Sequence, residues 1–471
     1  MNFGKSYAQI SGSQFMLPNN FYAQMYNPSY MHSEKATEIS IPGFAGLTFI
    51  NQGSFKISDL ITTSTGNPVI DFDHFYKQIN ARNFIRQDFS IPLFFFSKPF
   101  RKSVFSFYYK ENFSFNLKFK DDVVEFLVNG NFAQGYHSFK SDDMNLLTKG
   151  YREFAFGFAK SWNKNLDVGL RAKFLLGSVY FNADNWNFGI DTAPFGDVVT
   201  LSSGGGGQMV LPFPVVLNEN NSIYTIESKG AVQKYFGAYK NPGLAFDAGF
   251  TYYINDISLF SFSLRDLGGI WNRYNSFEMN QDENYDFIGF DLVSAVRYPE
   301  ETGYTEPHIL VKNVKDSVSQ VYQPVVNINR FINGLGPKTV LHYQNQISDK
   351  LTLGITNQSA FNLKHIQNIL TLSALQTWSD FSFLENLNLH GVSDISIGGG
   401  LQYESRHFQI FIATDNLFAI YHPAGNRTFS VTGGICLLLN SNKESKTSKS
   451  GFKKGKGETS KELPFYRKLN K

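Results

Sequence analysis

FSFYYKENFSFNLKF, residues Phe105 to Phe119, alternates with a period of two: Phe105, Phe107, Tyr109, Glu111, Phe113, Phe115, Leu117 and Phe119 share one face, and between Ser114 and Lys118 the other face is polar. A strand with that pattern presents one greasy side and one wet side. LDVGLRAKFLL, Leu166 to Leu176, repeats it, with Leu166, Val168, Leu170, Ala172, Phe174 and Leu176 opposed to Asp167, Gly169, Arg171 and Lys173. Charges spaced along the minority face do not fit the dry core of a sandwich. They fit the interior of a transmembrane barrel, whose strands turn apolar residues to lipid and polar residues to a lumen.

Composition agrees. The 471 residues include 48 Phe and 24 Tyr, yet the mean hydropathy is -0.24. A chain that covers itself with aromatics and still averages polar needs two opposed environments. No stretch approaches the roughly 18 apolar residues of a membrane helix, so spanning is expected by strands. Met1 to Ile10 has no apolar core of a secretory signal, so a signal is either absent or, as expected here, was removed before this numbering. The single cysteine, Cys436, has no internal disulfide partner.

Alternating runs recur at Ile39 to Phe49, Phe89 to Phe95, Phe154 to Phe158, Leu244 to Tyr252, Phe260 to Arg265, Thr339 to Tyr343, Leu351 to Thr356, Leu370 to Ala374, Phe381 to Leu389, Ile395 to Tyr403, Phe408 to Ile412 and Phe429 to Leu437. With the two quoted first they make about fourteen antiparallel strands, an even number as a bacterial single-chain barrel requires. Tight links fall at Lys98-Pro99, Asn163-Lys164, Asn255-Asp256, Ser348-Asp349, Ser379-Asp380 and Ser405-Arg406, alternating with mostly longer ones. Short periplasmic turns and long outer loops then put both termini in the periplasm of a Gram-negative outer membrane. Ala183 to Pro242 and Gly268 to Lys338 are the dominant extracellular loops. Trp162, Trp271 and Trp378 lie at strand ends, where interfacial aromatics belong.

Three regions follow. Residues 1–36 lack alternation and are expected to form an N-terminal plug in the lumen or a periplasmic arm; residues 37–440 form the barrel; residues 441–471 form a basic disordered tail. From Asn442 onward the tail holds 10 Lys/Arg against 3 Glu. It is either a solvated arm or a docking arm for an anionic envelope or periplasmic partner. Asp71 to Ile79 and Asp121 to Val128 have helical spacing and acidic starts, as helices on the outer loops would.

LPNNFYAQMYNPSYM at Leu17 to Met31, NPGLAFDAGFTYYINDISLFSFSLRDLG at Asn241 to Gly268, DNLFAIYHP at Asp415 to Pro423, and Gly434-Ile435-Cys436-Leu437 together resemble an uncharacterised family of outer-membrane barrels, domain of unknown function 5723. The resemblance runs from about Ser13 to Leu439 and carries no assigned chemistry. In architecture the chain is also similar to the long-chain fatty-acid outer-membrane transporters, which have fourteen strands, a plug and two dominant outer loops. That likeness of shape implies, without fixing it, porin-like passive transport of a small hydrophobic compound. The alternative is a scaffold or accessory subunit of an envelope secretion or gliding machine.

Enzymatic chemistry is not expected. There is no G-x-S-x-G, and no histidine has an i, i+4 histidine partner. Gly204 to Gly207 lacks a following Lys-Ser/Thr and reads as a flexible loop. Asp71 and Asp73 lack the further oxygen ligands of a cation site and read as a helix start. No cofactor, metal or nucleic-acid partner is implied; the expected partners are outer-membrane lipid, a hydrophobic small molecule and an envelope protein. Candidate site residues are the lumen charges Asp167, Arg171, Lys173, Asp247 and Arg265. They serve as cross-strand ion pairs stiffening the wall, or as plug anchors and a solute lining. A second candidate is the apolar run Met209, Val210, Leu211 and Phe213, which would gather a greasy ligand or pack on its neighbour. With Phe174 toward lipid and Lys173 toward water, Phe174→Arg is expected to cost far more than Lys173→Ala.

Overall fold

The computed structural model describes residues 15–17, 19–30, 36–64, 67–129, 138–192, 199–212, 215–217, 223–226, 230, 233, 240–287, 325–362, 365–390 and 394–439. It is an all-β chain whose strands close on themselves through antiparallel pairings. Arg82–Phe100 pairs with Ser103–Lys120, which pairs with Ser138–Ser161 and so on through Leu166–Thr192, Asn241–Tyr253, Ser258–Asn272 and Lys338–Ser348. The ring continues through Leu351–Asn362, His365–Trp378, Phe381–His390, Asp394–Glu404, Phe408–Thr414 and Thr428–Leu439. Two pieces, Thr37–Ser40 and Leu47–Gly53, fill the remaining gap: each pairs with both Thr428–Leu439 and Arg82–Phe100. Each of these ring strands is paired on both sides, so the ring itself presents no open edge.

The two faces are as opposed in space as in sequence. Along Phe381–His390, Phe381, Phe383 and Leu387 are exposed on one side while Ser382, Asn386, Asn388 and His390 are buried on the other. A water-soluble fold would reverse that assignment, because burying apolar rather than polar area drives its folding. Trp162, Trp378 and Phe381 stand exposed beside the short turns. Trp378 lies edge-on to Phe383, and Phe381 packs on Tyr403. Among the described residues no helix is long and apolar enough to cross a membrane.

The two longest links contain sheet. Leu166–Thr192 runs well past the end of its alternating stretch, and Tyr180 to Thr192 pairs with Val199–Val210. That strand pairs with Ser276–Phe287, which pairs with Val325–Ile328. Gly204 to Gly207 therefore lies in a strand and not in a loop. The glycines are held by ladders on both sides, and a hydrogen-bonded ladder needs no side chain from them. Helices Phe72–Gln78 and Asp122–Asn129 occur where helical spacing was noted. Asp71 caps the first by accepting the His74 N–H at 2.9 Å, which accounts for it without a cation. Residues 441–471 and the start of the N-terminal region lie outside the described residues.

Candidate functional site

Residues Phe15 to Tyr30 are surrounded by the inner-parity side chains of the ring. A short helix, Phe21–Gln24, is capped by Asn20, whose Oδ1 accepts the Tyr22 and Ala23 N–H groups at 2.9 and 3.3 Å. Phe21, Tyr22, Met16 and Leu17 are fully buried against Phe95, Tyr108, Leu375, Leu384 and Phe411. Those five come from strands spread around the wall, so an apolar knot sits where the pattern alone implied a wet lumen.

Polar bonds hold the rest. The Tyr22 hydroxyl meets Thr48 Oγ1 at 2.7 Å, Gln24 Nε2 donates to Glu38 at 2.8 Å, and Asn20 Nδ2 donates to Gln402 at 3.0 Å. Ser29 Oγ meets Thr251 at 2.8 Å, and the Tyr30 hydroxyl meets Ser261 at 3.0 Å. Burial pushes the Tyr22 and Tyr30 phenols above their ordinary range, so both remain neutral hydrogen-bonding groups.

Glycines make room for this segment. A Cβ at Gly169 would run into the Pro28 carbonyl, and one at Gly249 into the Asn27 side chain. Both lie on the inner face of their strands. Gly169→Val should therefore strain the contact by about 1 to 3 kcal/mol, the usual cost of overpacking, and push Pro28 and Ser29 off the wall. A cysteine at Ser29 should then react roughly tenfold faster with a water-soluble maleimide, as a change of that size in an opening equilibrium implies. An unchanged rate would mean that the wall, not the segment, yields.

The charged candidates converge beside the segment. Arg171 donates from Nη2 to the Gln24 carbonyl at 2.5 Å and from Nη1 to the Met25 carbonyl at 2.9 Å, and its Nη1 also meets Asp247 at 3.2 Å. Lys173 Nζ lies 2.9 Å from Asp247, 3.2 Å from Glu153 and 2.6 Å from Asp266. Glu153 also pairs with Lys110 at 3.3 Å and accepts the Tyr108 hydroxyl at 2.6 Å; Asp266 also pairs with Lys338 at 3.0 Å. Arg265 stacks its guanidinium 4.5 Å from the centroid of the Tyr26 ring. Asp167 has other partners, Ser161 at 2.7 Å and the Tyr253 hydroxyl at 3.1 Å.

Sequence parity missed Glu153, Lys110, Lys338 and Asp266. The first three do sit on the inner parity of their strands, just outside or within the runs quoted. Asp266 does not. The register between Asn241–Tyr253 and Ser258–Asn272 shifts at Phe246/Ala248, so that Arg265 and Asp266 together oppose Asp247. This β-bulge turns two consecutive side chains inward, with Asp266 at φ 61°, a left-handed conformation that Asp adopts more readily than most residues. The Asp266 N–H donates to Asp247 Oδ1 at 2.9 Å and fixes the bulge.

Of the loop candidates, Met209 is buried with Phe277, Met279 and Val326, and Leu211 packs against that cluster. Val210 is buried at the end of Val199–Val210. Phe213 lies outside the described residues.

A model of a family of unknown function, DUF5723, matches residues 28–415. No curated protein matches the chain. Among solved structures the chain is similar to the toluene transporter TbuX of Ralstonia pickettii, at 9% identity and a TM-score of 0.41 over 92% of this chain and 96% of that one. It is also similar to a FadL homologue of Pseudomonas aeruginosa, at 11% identity and a TM-score of 0.40 over 91% and 94% of the two chains. The toluene transporter TodX of Pseudomonas putida gives 8% identity and a TM-score of 0.38 over 91% and 94%.

Proposed function

The chain belongs to the DUF5723 family of unknown function, and from the geometry of its barrel we propose that it is an outer-membrane channel for passive transport of a small hydrophobic compound, occluded by its own N-terminal segment. The barrel counts sixteen strands rather than about fourteen, because Val199–Val210 and Ser276–Phe287 pair into the same sheet, with the two pieces Thr37–Ser40 and Leu47–Gly53 taken as one strand. The observation that carries this reading is the segment itself. It is held at its backbone by the side chains of Arg171, Ser263 and Gln409 and elsewhere by apolar packing and side-chain bonds, with no backbone ladder to the wall among the described residues, an arrangement that would close a lumen without fusing to it. Met209 and Val210 are buried and Leu211 packs against the Met209 cluster, so of the described residues of the loop run only the partly exposed Leu211 is placed to meet such a compound. Growth and uptake of aromatic and lipid compounds by a strain lacking the protein test the proposal; unchanged uptake of all of them counts against it.

Orientation is part of the proposal. With both termini periplasmic, the tight turns face the periplasm and the strand Val199–Val210 stands on the outside. A cysteine at Asn163 or Asn255 should resist a membrane-impermeant reagent in intact cells, and one at Gly205 should react. The opposite pattern would invert the barrel. The scaffold alternative rests on the basic tail from Asn442 to Lys471. Affinity purification with and without the tail separates the two, because a docking arm should take a partner with it and a channel should not.

A further inference from the structure

Among the described residues, four cationic side chains are more than nine-tenths buried: Arg152, Arg171, Lys173 and Arg265. Three of them meet carboxylates: Arg152 with Glu111 at 2.9 Å, Arg171 with Asp247, and Lys173 with three at once. Arg265 does not. Its Nε and Nη2 are both buried and have no hydrogen-bond partner, and the group lies over the face of the Tyr26 ring. These two nitrogens are the pair whose N–H groups point the same way from one edge of a guanidinium, the fork that grips two oxygens of a single oxyanion. A buried charge is ordinarily paired or solvated, and here one complete fork is left over.

The surroundings do not fill it. Asp266, next in the chain, gives its oxygens to Lys173 and Lys338, and Asp247 is engaged by Arg171 and Lys173. In the connected network four cations, Lys110, Arg171, Lys173 and Lys338, already outnumber three carboxylates, Glu153, Asp247 and Asp266, before Arg265 is added. Lys338, which faces Arg265 across the strand pair, has a side chain 29% exposed, so solvent reaches the neighbour of the buried fork. Excess positive charge and an unpartnered buried bidentate donor coincide at one place, beside a lysine that is partly exposed.

We infer that Arg265, backed by the Tyr26 ring and the neighbouring lysines, binds a small oxyanion, a carboxylate or a phosphate, on the inner wall of the barrel. The inference rests on the channel reading only in needing an aqueous path to the lumen. Full-length protein in detergent micelles, dialysed to equilibrium against labelled acetate or labelled inorganic phosphate at constant ionic strength in chloride, should show a single saturable site for at least one of them. Arg265→Gln should weaken that binding by roughly tenfold or more, the range set by losing charge-assisted hydrogen bonds, while the heat-modifiable gel mobility of a folded barrel is retained. Arg265→Lys keeps the charge without the fork, should also bind more weakly, and decides the matter if the glutamine variant does not fold. Arg427→Gln, at an arginine just before Thr428–Leu439 whose buried Nε also lacks a partner but which has no unpartnered fork, should bind as the wild type does. The acetate and phosphate arms tell a carboxylate from a phosphorylated ligand. Absence of saturable binding for both, or unchanged binding in a folded Arg265→Gln barrel, overturns the site. Because dialysis measures no flux, the result stands whether or not any compound crosses.

Discussion

Lys173→Met should destabilise the folded barrel by about 3 to 5 kcal/mol, the cost of removing one partner from a buried ion network and leaving its counter-charges behind. The ammonium is 2% exposed and sits within 3.2 Å of Glu153, Asp247 and Asp266, themselves 7% exposed or less. Each carboxylate keeps a second cation, Lys110, Arg171 and Lys338 respectively, which places the cost toward the lower end of that range. Phe174→Arg, one residue on and facing outward, should cost about 2 to 4 kcal/mol as a charge placed against lipid. The alternation alone set Lys173 far below Phe174; the network makes the two comparable, because a lysine in water and a lysine among three buried carboxylates share the same parity. Urea titration of protein refolded into lipid vesicles, followed by tryptophan fluorescence, gives both numbers. A cost below about 1 kcal/mol for Lys173→Met would mean that water screens the cluster as it does a surface pair.

The barrel was legible because lipid and lumen are chemically opposite, so every spanning strand repeats the same period-two pattern. Val199–Val210 and Ser276–Phe287 were harder to read, since four glycines, Gly204 to Gly207, fill the middle of the first and five polar residues, Asn280 to Asn284, interrupt the alternation of the second. Within the candidate site, Arg171, Lys173 and Asp247 could be grouped by parity. Asp266 escaped because a bulge moves it to the other face without any change in composition. The grip of Arg171 on the segment escaped for another reason: its partners there are main-chain carbonyls of Gln24 and Met25, which no side-chain pattern announces. Gly169 and Gly249 read as neutral members of polar faces. Their meaning lies in the Pro28 carbonyl and the Asn27 side chain, far away in sequence.

Deleting Met1 to Lys35 should raise single-channel conductance in a planar bilayer from near zero to that of an open pore. The ring is closed by backbone ladders that do not pass through the segment, and a barrel closed in register holds its shape without a filling. What the deletion exposes is the apolar knot of Phe95, Tyr108, Leu375, Leu384 and Phe411. Water reaching those side chains removes part of the roughly 1.5 to 3 kcal/mol that burial contributes for each, so the truncated barrel should unfold at lower urea yet remain heat-modifiable on a gel. Arg171 would lose two carbonyl partners and keep Asp247, so the wall nearest the missing segment should soften first. A variant that fails to fold leaves Gly169→Val to carry the test, since it displaces the segment without removing it. A folded deletion variant with unchanged conductance would show that the segment does not close the path, and the docking role of the basic tail would then be the better account of the protein.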